Sequence, residues 1–144
     1  MSATADNAAS GPVSRFGFES GMVVQELGWD EDIDEDLRAS IEKAVGGQLV
    51  DDRYGDVVDA VILWWRQDDG DLVDGLVDSL TDLADGGAIW LLTPKVGRDN
   101  YVDASDIAEA APTAGLSTTT SLAAGPEWSA TKLVSPKTDR SPRR

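Results

Sequence analysis

Gly86-Gly87-Ala88-Ile89-Trp90-Leu91-Leu92-Thr93-Pro94-Lys95 decides the fold, because its apolar residues fall on consecutive positions rather than alternate ones. A strand reads this way when helices cover both faces of its sheet. The run Val57 to Arg66 has the same character, with Trp64 and Trp65 directed to opposite faces. Between the two runs, Asp71 to Asp85 has a helical rhythm, so the three pieces predict a parallel strand, helix, strand unit. The helix carries Leu72, Val73, Leu76, Val77, Leu80 and Leu83 on one stripe and Asp74, Asp78 and Asp82 on the other. Gly86-Gly87 is expected to end it as a left-handed cap.

Working outward, Met22 to Leu27 predicts a first strand that ends at Gly28-Trp29. The acidic run Asp30 to Asp36 precedes Leu37, Ile41, Ala44 and Val45, whose spacing marks an amphipathic helix. Carboxylates at its start suit the positive end of the helix dipole and can cap its free amides. The alternating acids resemble a calcium loop, but Glu35 and Ile41 stand where that loop needs Gly and Glu, so no metal site is predicted. Gln48-Leu49-Val50 reads as a short second strand ending at Asp51-Asp52, too close to Val57 for a full crossover helix. Asp103-Ala104-Ser105-Asp106 opens a third helix that Pro112 closes. Leu116 to Ala123 and Trp128 to Ser135 are separated by only Ala124-Gly125-Pro126-Glu127, which requires an antiparallel hairpin.

With 144 residues, the chain is long enough for one domain with its own core. Residues 1–15 are too polar to offset the entropy of ordering and are expected to be disordered. Residues 16–136 form the predicted α/β domain, and 137–144, with Lys137, Arg140, Arg143 and Arg144, form a basic disordered tail. Cysteine and histidine are both absent. Disulfides, thiolate or imidazole metal sites, cysteine nucleophiles and histidine bases are therefore excluded. The net charge of −15 opposes binding of the body to nucleic-acid phosphates. No basic leader followed by an apolar run and no membrane-length apolar stretch is present, so a cytoplasmic location is expected.

The order of elements resembles the Rossmann-like sheet of S-adenosylmethionine-dependent methyltransferases, shortened in its early units. The span Phe18 to Lys137 resembles more closely a small bacterial family known as domain of unknown function number three thousand and fifty-two. The resemblance rests on Gly17-Phe18, Gly21-Met22, Gly55-Asp56-Val57-Val58, Gly86-Gly87-Ala88-Ile89-Trp90 through Pro94-Lys95, Ala114-Gly115-Leu116 and Trp128-Ser129, in that order. It implies a single three-layer, mostly parallel α/β sheet finished by an antiparallel hairpin. The family brings no reaction and no catalytic residues with it. The methyltransferase comparison implies a glycine-rich acidic turn after the first strand and an acid ending the second. Here the turn is Glu26-Leu27-Gly28-Trp29-Asp30, with one glycine and then an indole, which disfavours S-adenosylmethionine; Asp51 does stand at the end of the second strand.

In such a sheet ligands meet the carboxyl ends of the strands. That edge is expected to gather Gly28, Trp29, Asp51, Arg66, Lys95, Glu127 and Trp128, a set suited to a small anion or planar group. The plainer alternative pairs Arg66 or Lys95 with Glu127 while Trp128 seals the sheet end. The functional expectation is a non-catalytic binding or regulatory domain that acts through a small ligand or a protein partner. A divergent methyltransferase-like enzyme is the second reading. The third is an acidic protein that docks a basic partner through Asp74, Asp78 and Asp82.

Overall fold

A computed structural model of the chain describes residues 16–135, so the expectations for 1–15 and 137–144 lie outside the described residues. The elements are β1 (Val24–Leu27), α1 (Glu35–Val45), β2 (Val58–Trp64), α2 (Leu72–Ser79), β3 (Leu83–Pro94), α3 (Ala104–Thr113), β4 (Ser117–Ala123) and β5 (Trp128–Val134), with a 3-10 turn at Gln67–Asp69. They build one sheet in the order β1-β2-β3-β5-β4. The β1–β2 and β2–β3 pairs are parallel, and β5 runs antiparallel to both β3 and β4. This is the three-layer α/β sheet finished by a hairpin that the resemblance implies.

Strand parity explains the two cores. Ala60, Ile62 and Trp64 of β2 and Trp90 and Leu92 of β3 pack with Leu37, Ile41 and Val45 of α1, with Phe16 and with Trp128. Val61 and Leu63 of β2 and Ile89 and Leu91 of β3 turn the other way, onto Leu76 of α2 and Ile107, Ala110 and Ala111 of α3. Both central strands are therefore buried on both faces, which is why they read as unbroken apolar runs. Trp64 and Trp65 separate onto opposite faces, the first fully buried and the second half-buried over Gly75.

Three local readings need correction. First, α2 ends at Ser79, whose hydroxyl bonds back to the Gly75 carbonyl at 2.9 Å, so Leu80, Asp82 and Leu83 lie beyond the helix. Asp74 and Asp78 stand exposed on α2, whereas Asp82 lies half-buried in the turn and accepts a 3.4 Å contact from Gln25 Nε2. The three acids do not form one helical ladder. Second, Gly86-Gly87 does not cap a helix. It lies inside β3, where the stretch Leu83 to Ala88 faces the shorter stretch Val58 to Ala60 and the extra residues bulge. Gly86 there has φ 82°, and a Cβ on Gly87 would stand 2.7 Å from the Asp59 carbonyl oxygen. Third, the expected strand Gln48 to Val50 reduces to one parallel bridge between Val50 and Gln25. Only Val50 makes backbone bonds to β1, through Val24 and Glu26, on the edge opposite the one that pairs with β2.

α1 begins where Asp34 Oδ1 accepts the Leu37 amide at 3.0 Å, the capping role expected of this acidic run. Asp34→Ala is expected to lower the unfolding free energy by about 1 kcal/mol. Urea denaturation should show the loss as a lower midpoint with an unchanged slope.

Candidate functional site

α1, which follows β1, covers one face of the sheet, and α2, which follows β2, covers the other. The chain thus reverses its winding between β1 and β2, and the crevice outside their carboxyl ends is where an open α/β sheet receives a ligand. In this protein Arg66 fills it. The Arg66 side chain is only 7% exposed. Its Nε donates to Asp32 Oδ2 at 3.0 Å and its Nη2 to Asp32 Oδ1, a bidentate pair. Nη1 donates to the Gly28 carbonyl at 2.7 Å and, at 3.3 Å each, to the Trp64 carbonyl and Asp69 Oδ2. Asp69 Oδ2 also accepts the Arg66 amide at 3.0 Å, which fixes the turn after β2. Burial works against the Arg66 charge, but hydrogen bonding and charge from Asp32, then Asp69, outweigh it and raise its pKa. The hydrogen bond from Arg66 holds Asp32 below the usual carboxylate value, against the opposing effect of its partial burial.

The crevice wall is equally closed. Gly28 has φ 77°, and a Cβ there would overlap the Trp64 carbonyl oxygen and stand 3.2 Å from its carbon. Backbone is thus pressed against backbone where the cofactor of a methyltransferase-like sheet would need an open glycine-rich turn. Trp29 follows, 54% exposed. The residues present do not fit S-adenosylmethionine in this crevice.

Beside it, Glu26 stands buried on β1, accepting both a 2.8 Å bond from Arg38 Nε of α1 and a 3.0 Å bond from the Trp64 indole. Trp128 is 1% exposed and lies edge-on to Trp64 at 4.9 Å, sealing the end of the sheet. The Arg66 and Arg98 guanidinium carbons stand 5.4 and 5.6 Å from the Trp128 ring centre.

The expected edge set is therefore divided. Gly28, Arg66 and Trp128 meet in the filled crevice. Asp51 stands away from it, exposed and paired with Arg53 at 3.6 Å. Glu127 pairs with Arg98 at 3.2 Å, and not with Arg66 or Lys95. Lys95 reaches Glu127 through backbone only, its amide donating to the Glu127 carbonyl at 3.0 Å. Asp32, Asp69 and Arg98 are the partners that the sequence reading did not name. The spacing of Arg66 and Asp69 around a turn was a usable signal for one of them; Asp32 and Arg98 come from loops whose course no periodicity reports.

Lys95 instead lines a separate cavity of about 520 Å³ between the end of β3, the start of α3 and the hairpin, with Thr93, Tyr101, Ser121, Ser129 and Thr131. Another cavity, of about 380 Å³, lies on the α2 face of β1 and β2, lined by Leu27, Gly28, Asp52, Trp65 and Asp78 among others. Among the described residues no group of three or more acidic side chains is arranged to hold a metal ion. No helix of the described residues is long and apolar enough to cross a membrane.

Solved structures that superpose on this chain include methyltransferases. The mitomycin 7-O-methyltransferase superposes with a TM-score of 0.62 at 12% identity, covering 89% of this chain and 53% of the other. The magnesium protoporphyrin IX methyltransferase of Synechocystis PCC 6803, solved with bound SAM, gives 0.54 at 13% identity, covering 92% and 78%. At such identities the likeness is one of fold. In sequence, an uncharacterised protein of Mycobacterium tuberculosis (strain ATCC 25618 / H37Rv) is 51% identical over 129 residues, 90% of this chain and 81% of that protein. An uncharacterised protein of Mycobacterium bovis matches to the same extent. Residues 13–137 match the family described as protein of unknown function, DUF3052, and the chain belongs to that family.

Proposed function

We propose that this protein is a non-catalytic binding domain of the cytoplasm, a methyltransferase-like sheet that works by holding a small ligand rather than by transferring a methyl group. One observation carries the reading: the crevice at the winding reversal is occupied by Arg66 and closed by the contact of Gly28 with Trp64. An arginine bonded to two carboxylates and two carbonyls is costly to displace, because every partner it leaves would need a new one. The absence of histidine and cysteine removes the commonest proton-transfer and nucleophilic groups, which also favours binding over chemistry.

Isothermal titration of the full chain with S-adenosylmethionine and with S-adenosylhomocysteine tests this. Neither is expected to give saturable heat or to raise the melting temperature. Stoichiometric binding of either, lost when Asp52 or Trp65 beside Gly28 is replaced, would return the protein to the enzyme class.

A further inference from the structure

The cavity beside Lys95 is polar for a reason written into strand parity. Along β3, Ile89 and Leu91 face the α2 and α3 core, and Thr93 is the next residue on that face. Along β5, Leu133 faces the same core and is followed toward the carboxyl edge by Thr131 and then Ser129. Thr93 is the register partner of Ser129, Leu91 of Thr131, and Thr131 of Ser121, so the four hydroxyl residues share one face. The sheet surface thus changes from apolar to hydroxyl-bearing where it leaves the cover of α3.

Two features there lack partners. Thr93 is 3% exposed and lines the cavity, yet its hydroxyl has no hydrogen bond among the described residues. A buried hydroxyl without a partner is costly, so it is normally found bonded. Lys95 is half-buried on the same cavity, and none of the ion pairs among the described residues includes it. Lys43 and Lys132 share that lack of an ion pair, but of the three described lysines only Lys95 lines this cavity. Val102 and Ile107 supply an apolar wall, and Tyr101 a phenol at the rim.

We propose that this cavity binds a small hydroxylated monocarboxylate, its carboxylate on Lys95 and its hydroxyls bonded to Thr93, Ser129 and Thr131. One cation in a strongly acidic chain suits a single negative charge better than the two of a phosphate ester. Hydroxyls both donate and accept, so a hydroxylated skeleton satisfies the sheet hydroxyls, Thr93 included, in a way that a plain alkyl chain does not. The proposal rests on the reading of the protein as a ligand-binding domain and gives that reading a site.

Amide NMR spectra of the full chain, titrated with glycerate, gluconate, propionate and inorganic phosphate at matched ionic strength, test it. Glycerate or gluconate is expected to give saturable shifts at Thr93, Lys95, Tyr101 and Ser129, with propionate and phosphate weaker. Lys95→Met is expected to weaken binding about tenfold or more. Thr93→Val, which keeps the side-chain shape, should narrow the advantage of glycerate over propionate. Unchanged spectra elsewhere verify that both variants fold. Non-saturating shifts with both hydroxy acids, equal binding by Lys95→Met, or tighter binding of phosphate would overturn the site. Those results would leave the non-catalytic reading standing, whereas binding of S-adenosylmethionine would overturn that reading without touching Lys95.

Discussion

Gly28→Ala is expected to lower the unfolding free energy by at least about 3 kcal/mol, a large share of the 5–15 kcal/mol that holds a domain together. Two separate costs combine at this position. The residue has φ 77°, where an L side chain is strained by about 1–2 kcal/mol. The added Cβ would also overlap the Trp64 carbonyl oxygen, which is backbone at the end of a central strand and has no room to yield. Moving that carbonyl would in turn break its bond from Arg66 Nη1. Gly86→Ala separates the two costs, because Gly86 has φ 82° but nothing within 4 Å of its Cβ position. It should lose only about 1–2 kcal/mol. Gly28→Asn should fail almost as badly as Ala, since asparagine tolerates the backbone angle but still carries a Cβ. Urea midpoints for the three variants decide the matter, and equal losses at Gly28 and Gly86 would refute the close contact that shuts the crevice.

The same contact shows what could be read from the residues alone and what could not. A single glycine followed by an indole after the first strand set this turn apart from a glycine-rich one, but Trp29 is largely exposed and the close contact is made by Gly28 against Trp64. What closes the crevice is not local. Asp32 and Arg66 are far apart in sequence and meet only because β1 and β2 lie side by side. The central strands were legible because burial on both faces leaves an unbroken apolar run, and the hairpin because four residues between strands permit no other connection. Where two periodicities overlap, the reading fails: Leu80 and Leu83 continue the helical stripe of Leu72 and Leu76, although the chain has already turned into β3. Gly86-Gly87 follows that stripe and so imitates a helix cap, when its use is a bulge inside a strand. Lys95 was placed at the correct edge of the sheet, but only the register of Thr93 with Ser129 shows which cavity it lines.

Arg66→Met should cost about 3 kcal/mol or more, since removing one member of a buried ion cluster leaves its partners without compensation. The Gly28 and Trp64 carbonyls would lose their shared donor, and Asp32 and Asp69 their counter-charge. Both carboxylates are partly exposed, 43% and 33%, so water would recover some of the loss for them but little for the carbonyls. Lysine should not rescue the site, because one ammonium cannot span a carboxylate and two carbonyls in the fixed geometry of a guanidinium. The pH dependence distinguishes the ion pair from simple packing. In the folded protein the pKa of Asp32 is depressed below its ordinary 3.8, first by the hydrogen bond from Arg66. A depressed carboxylate adds stability that is fully present above the unfolded value and disappears as pH falls through the folded one. The gap in stability between the wild type and Arg66→Met should therefore be constant near neutrality and narrow as pH drops below 3.8. In the Arg66→Met background Asp32→Asn should have little further effect, while in the wild type it should reproduce part of the loss. A gap that stayed constant through acid, or full additivity of the two substitutions, would mean that Arg66 holds the crevice by packing alone. The carboxylate of Asp32 would then have no part in keeping it closed.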